Sequence, residues 1–258
     1  GATLAGFEQI VLVNDSDTTL LSSQVTGKTI KFNTGTGEAA SIVTINGSNT
    51  GNDIIDLSSF TITAGSYTAV TGEPLAGVAF NAGDDKFVID PGTGADVVTL
   101  STGAAAITES IKVDLGDSDV DGYDVITGFD ATKDSLALAT TKIGTNGGGS
   151  VGATGSIQQV TIDGEGLLGF TSATNGGDAV LITSQSLLTE AITDVTAKFG
   201  AADTTMMFVT SGPLGGSTFV FQGDTGSETT TDVLVQLVGV TGIGIETNLQ
   251  ADQDIDLA

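Results

Sequence analysis

Residues 113–124 read Val-Asp-Leu-Gly-Asp-Ser-Asp-Val-Asp-Gly-Tyr-Asp. Asp117, Asp119, Asp121 and Gly122 match the first half of a calcium loop, with acids at loop positions 1, 3 and 5 and Gly at 6. Spacing by two puts three carboxylates on the concave side of one tight turn. Like charges this close are costly without a cation. The match stops there: position 12 is Gly128 rather than Glu, and no amphipathic helix flanks the loop. The expectation is a free-standing Asp-x-Asp-x-Asp-Gly calcium loop, adjoined by Tyr123 and completed by Asp114, Asp124 or Asp130. The competing reading is a solvated acidic turn.

Three further stretches pair Gly with Asp ahead of apolar alternation. They are Gly51-Asn52-Asp53-Ile54-Ile55, Gly83-Asp84-Asp85-Lys86-Phe87 and Gly92-Thr93-Gly94-Ala95-Asp96-Val97-Val98. The last fits the calcium nonapeptide Gly-Gly-x-Gly-x-Asp-x-apolar-x, with Thr93 at the second Gly. Gly opens the turn, Asp reaches back into it, and the apolar residue two positions later points inward. Asp53, Asp85, Gly94 and Asp96 are therefore candidate calcium positions, and Asp224 marks a lesser one. Ordinary Gly-Asp turns between strands are the alternative.

The elements that must carry these turns are strands. Thr, Val, Ile and Gly dominate, and these favour strands and tight turns. Strands are expected at Gln9–Val13, Thr29–Phe32, Ser41–Ile45, Asp53–Leu57, Lys86–Ile89, Asp96–Leu100, Ile111–Leu115, Asp124–Ile126 and Ser135–Leu138. Residues 144–155 hold six Gly in twelve positions and read as a flexible loop or a domain boundary. Beyond it, strands are expected at Ser156–Ile162, Gly166–Thr171, Ala179–Thr183, Thr205–Thr210, Ser217–Phe221 and Asp232–Val238. One helix is expected at Ser186–Phe199, where apolar residues follow helical spacing, with Ser186 and Glu190 near its start. The expected fold class is mainly all-β: a calcium-binding β-roll, solenoid or sandwich over 1–142, then a β-rich C-terminal domain over 143–258 with that single helix.

Composition narrows the chemistry. The chain has 258 residues, with 24 Asp against 8 Glu, seven Lys and no Arg, His, Cys or Trp. Its formal charge of −25 repels phosphate backbones and acidic lipid head groups, and favours divalent cations. Without His or Cys there is no Ser-His-Asp triad, no Cys-His pair and no thiolate metal site. Paired Asp could serve a glycosidase, yet the Trp and Tyr of sugar clefts are absent or scarce. No phosphate loop follows a strand. No run approaches ~18 apolar residues, so no membrane-spanning helix is expected. An enzyme is not expected. The opening Gly-Ala-Thr-Leu lacks Met and a charged signal region, and reads as part of a longer chain.

A family resemblance joins these features. Asp124, Ile126, Phe129, Asp130, Asp134, Leu136 and Leu138 resemble the segment that follows the repeats in RTX-type calcium-binding proteins of the bacterial type I secretion route. Residues 3–10, with Gly6-Phe7-Glu8-Gln9-Ile10, are similar to a strand of long surface-layer and adhesin members. Residues 216–224 and 232–239 resemble the C-terminal part of type I secreted surface-layer proteins. No run of regular nonapeptides is present. The resemblance implies a secreted, extracellular protein of the bacterial cell surface that folds outside the cell around Ca2+. Implied partners are copies of itself in a surface (S-layer) lattice, cell-surface polysaccharide and the type I secretion machinery. The alternatives are a segment of a large secreted adhesin, or the C-terminal secretion and folding region of an extracellular enzyme or toxin. Asp252, Asp254 and Asp256 would suit a secretion signal or a frayed acidic tail.

Overall fold

The computed structural model describes residues 9–12, 18–28, 31–34, 42–59, 61–62, 67–68, 74–75, 86–102, 108–119, 121–138, 144, 147–150, 155–164, 166–173, 177–199, 204–224, 231–241 and 254–255. The first strands are β1 (Gln9–Leu12), β2 (Thr18–Leu21), β3 (Lys31–Thr34), β4 (Ile42–Asn46), β5 (Ile54–Asp56), β6 (Thr61–Ile62), β7 (Tyr67–Thr68) and β8 (Pro74–Leu75). Then come β9 (Lys86–Asp90), β10 (Val97–Thr99), β11 (Glu109–Val113), β12 (Asp124–Thr127), β13 (Ser135–Leu138), β14 (Gly147–Ser150), β15 (Gln159–Ile162) and β16 (Leu168–Thr171). The last are β17 (Thr205–Val209), β18 (Ser217–Gln222), β19 (Val233–Val238) and β20 (Asp254–Ile255). A short helix α1 (Ser22–Val25) follows β2, and α2 (Gln185–Phe199) precedes β17. The described fold is mostly β, as the composition requires.

In the first half most strands pair in parallel with partners from successive turns of the chain, while β7 and β8 pair antiparallel. One sheet runs β2-β4-β9-β11-β13 and ends on the antiparallel β20. A second runs β5-β10-β12-β19 in parallel and continues through the antiparallel β18 and β17. A third joins β1, β3 and β6. The registers stack like on like. Ile55, Val98, Ile126 and Leu237 align across the second sheet, and Ile45, Ile89, Ile111 and Leu136 across the first. All eight are fully buried in one apolar cluster shared by the two sheets. Burying each such side chain contributes roughly 1.5–3 kcal/mol, and the period of two fixes which face turns inward.

Edges are managed locally. The turn after α1 covers the outer edge of β5: Thr26 Oγ1 donates to the Ile54 carbonyl at 2.7 Å, and the Gly27 N–H donates to the Asp56 carbonyl at 3.1 Å. At the other end, β17–β19 bury both faces. Met207, Val220 and Val235 turn toward the shared cluster, while Met206, Phe208, Phe219 and Phe221 join a second cluster with α2, β15 and β16. Phe208 stacks on Phe219 with ring centroids 5.3 Å apart.

Several expectations are corrected. The Gly-rich stretch at 144–155 supplies a strand, β14, paired antiparallel with β15. Its three consecutive glycines keep backbone N–H and carbonyl groups for the ladder with β15. Residues 179–183 form only isolated bridges at Ala179 and Ile182. A second helix, α1, lies in the first half. The cap of α2 is Ser184, whose Oγ accepts the Leu187 N–H at 3.3 Å, while Glu190 reaches across to the Ile157 N–H at 2.7 Å. The sheet containing β12 and β19 joins strands from either side of residue 142.

Candidate metal centre

The parallel register brings three Asp residues into line. Val97 pairs with Ile54 on one side and Val125 on the other, so Asp53, Asp96 and Asp124 stand side by side at the start of β5, β10 and β12. They are joined head to tail. The Asp53 N–H donates to Asp96 Oδ1 at 2.5 Å, and the Asp96 N–H donates to Asp124 Oδ1 at 2.9 Å. Below Asp53, the Ser48 N–H donates to its Oδ2 at 2.5 Å. Above Asp124, its own N–H donates to Ser118 Oγ at 2.7 Å, and that hydroxyl donates to the Leu234 carbonyl at 2.6 Å. One hydrogen-bonded ladder thus crosses from the 48–53 turn to β19.

Asp53 and Asp96 immediately precede their strands and Asp124 opens its own, all at the inward-facing parity. The residues two positions on, Ile55, Val98 and Ile126, are fully buried. The carboxyls are therefore drawn under the turn. Asp96 and Asp124 are both 0% exposed, and the Oδ2 atom of each has no hydrogen-bond partner. Burial pushes Asp96 up to about 6, with the charges of Asp53 and Asp117 adding to the rise. Burial pushes Asp124 up to about 8, with Asp96 and Asp117 adding to it. The Asp53 N–H on one and the Asp96 N–H on the other act the opposite way.

Glycine makes the close stacking of turns possible. Gly94 has φ +139°, and a Cβ there would stand 2.6 Å from the Gly51 carbonyl oxygen. Its N–H donates to the Asp117 carbonyl at 2.9 Å, and Asn52 Oδ1 accepts the Ala95 N–H at 3.2 Å.

In the Asp117–Asp121 loop, local backbone donors bond one oxygen each of Asp117 and Asp119. Among the described residues, no group of three or more carboxylates is suited to hold a metal ion. Asp117 Oδ2 accepts the Asp114 N–H at 3.0 Å, and Asp119 Oδ1 accepts the N–H groups of Asp121 and Gly122 at 2.9 and 2.8 Å. Local backbone donors thus take these oxygens, as short Asp side chains on turns permit. Asp121 is exposed. Asp114 pairs with the Lys112 ammonium at 2.5 Å, which also reaches Asp90 at 3.1 Å. Those contacts, Asp114 first, raise the Lys112 pKa. Burial raises that of Asp117. Asp130 lies past the far end of β12 from Asp124 and holds its own turn through Thr132, which lowers its pKa. The Tyr123 ring packs edge-on against Phe219 with centroids 5.3 Å apart, tying the ladder to the second cluster.

Asp85 lies outside the described residues. The strand that follows it, β9, belongs to the sheet of β4 and β11, not to that of β5 and β10. The third member of that repeat is Gly122-Tyr123-Asp124. Asp224 sits at the mouth of the β18–β19 hairpin, where its N–H donates to Asp232 Oδ1 at 3.2 Å.

A second, smaller ladder was not foreseen. Glu109 and Asp134 start β11 and β13 as register neighbours, and the Glu109 N–H donates to Asp134 Oδ1 at 3.0 Å. Glu109 in turn accepts the Ser101 N–H and hydroxyl at 3.0 and 3.1 Å. Burial pushes Glu109 up to about 8 and Asp134 up to about 6. The signal was present in Glu109-x-Ile111-x-Val113 and Asp134-x-Leu136-x-Leu138, where an acid occupies an inward position of the alternation. Comparison of the chain with protein-family models, with curated proteins and with solved structures gives no match.

Proposed function

We propose that this chain is a calcium-stabilised structural segment of a secreted bacterial surface protein, built as a β-solenoid. Three observations support the solenoid: parallel partners drawn from successive turns, like residues stacked in register, and antiparallel strands closing one end. The observation that carries the calcium reading is the pair of orphan oxygens, Asp96 Oδ2 and Asp124 Oδ2. A buried ionised carboxylate needs a proton or a cation. The open Oδ2 atoms of Asp96 and Asp124 would hold the ion as hard oxygen donors, which suit Ca2+. Bound calcium would neutralise the stacked charges and lock adjacent turns together. In the extracellular setting implied by the sequence resemblance, binding and folding would then share one free energy.

A surface-layer lattice is the best-supported role, because the resemblance at residues 3–10, 216–224 and 232–239 points there and the net charge of −25 leaves acidic faces that calcium can bridge. The test is thermal melting in calcium against chelator, paired with electron microscopy. Calcium should raise the melting temperature and produce ordered sheets. No change in melting overturns the calcium reading. A stabilised but monomeric protein overturns the lattice and favours the adhesin reading.

A further inference from the structure

We propose a second divalent-cation site at the mouth of the β18–β19 hairpin, with Asp232 and Asp224 as its carboxylate ligands. It extends the calcium reading to other residues and can fail separately from the ladder. The last paired residues of the hairpin are Gln222 and Val233, so residues 223–224 and 231–232 flank its mouth. There the two acids are locked together. The Asp224 N–H donates to Asp232 Oδ1 at 3.2 Å, and Thr231 Oγ1 donates to Asp224 Oδ2 at 2.6 Å.

Asp232 is only 1% exposed, and its Oδ2 atom has no hydrogen-bond partner. A buried carboxylate with an open oxygen, set against a second carboxylate, is an arrangement that a cation resolves. A proton is the competing solution. Burial, with the charge of Asp224 adding to it, holds Asp232 up to about 6. Carboxylate and hydroxyl oxygens select a hard ion of the calcium type over a thiophilic one.

The experiment counts calcium bound to the whole chain by equilibrium dialysis at pH 7.5. It compares the unaltered protein with Asp232→Asn, Asp224→Asn and the ladder variant Asp124→Asn. The expected result is a loss of one equivalent in each hairpin variant, a separate loss in Asp124→Asn, and additive losses when the two regions are combined. A count unchanged by both hairpin substitutions overturns the site, whatever Asp124→Asn does. If Asp232→Asn fails to fold, the half-buried Asp224→Asn alone decides, and an unchanged count overturns the proposal. A higher melting temperature of Asp232→Asn in chelator with an unchanged count identifies a proton in place of the cation, and also overturns it. An unchanged count in Asp124→Asn alone removes the ladder reading and leaves the hairpin site standing.

Discussion

The Asp96 N–H donates to Asp124 Oδ1 at 2.9 Å, while Oδ2 of that same carboxyl is buried without a partner. One side chain thus does two unlike jobs. Its first oxygen ties neighbouring parallel strands at their start, where the ladder of backbone bonds begins. Its second is held in a dry place, where it needs a proton or a cation. Asp53 and Asp96 repeat the first relationship one turn earlier.

The two jobs separate by substitution. Asp124→Asn keeps an acceptor for the Asp96 N–H and removes the charge. It should melt at or above the unaltered protein in chelator and lose most of the calcium-dependent stabilisation. Asp124→Ala removes the acceptor and strands a buried N–H, costing about 1–3 kcal/mol in denaturant melts. If both variants behave alike in chelator and in calcium, the carboxylate has no role beyond its hydrogen bond.

The same carboxyls set a pH dependence. Asp124 rises from 3.8 to about 8 and Glu109 from 4.5 to about 8, so the folded protein holds more protons than the unfolded chain between those values. Stability of the metal-free protein should therefore be full near pH 4 and fall as pH rises toward 8. With calcium the ion replaces the proton at Asp124, and the slope should flatten. Glu109 already accepts two bonds from Ser101, so its share of the slope should persist in calcium. Melting temperature across pH 4–8 in chelator and in calcium checks both signs.

The strands were legible because Val, Ile and Thr run between Gly and Asp turns, and α2 because Leu188, Ala191, Ile192 and Val195 recur at helical spacing. Pairing was not. Asp53 and Asp96 are 43 residues apart, and only the register makes them neighbours. Gly122-Tyr123-Asp124 went unread as a copy of Gly94-Ala95-Asp96 because the preceding Asp117–Asp121 spacing imitates a different calcium loop. Glu109 and Asp134 are single acids whose inward parity matters only once β11 lies beside β13. The four residues of α1 are too few to show any period.

Gly94 offers a test of turn stacking that involves no charge. Alanine there must adopt φ near +139° and place its Cβ 2.6 Å from the Gly51 carbonyl oxygen. Backbone strain of this kind costs of order 1–3 kcal/mol, and the clash with fixed backbone adds to it. Gly94→Ala should lower the denaturant midpoint clearly, whereas Gly164→Ala, with open space around it, should shift it by no more than a few tenths of that.

Ser118 is the hinge of the ladder between the two halves of the chain. It is fully buried, its Oγ accepts the Asp124 N–H, its hydroxyl hydrogen goes to the Leu234 carbonyl, and its own carbonyl accepts the Leu234 N–H at 2.8 Å. Ser118→Ala leaves the Asp124 N–H and one carbonyl lone pair at Leu234 without their partner, at a cost of about 1–3 kcal/mol. The loss should be local. Amide exchange should speed up at Val125–Thr127 and Val233–Leu237, where β12 and β19 pair, while β4 and β9 keep their protection. The number of calcium ions bound should stay the same, because Asp96 Oδ2 and Asp124 Oδ2 have no hydrogen-bond partner for the substitution to remove. Uniform loss of protection across both sheets would mean that the two halves unfold as one unit and that Ser118 carries no special share of their junction.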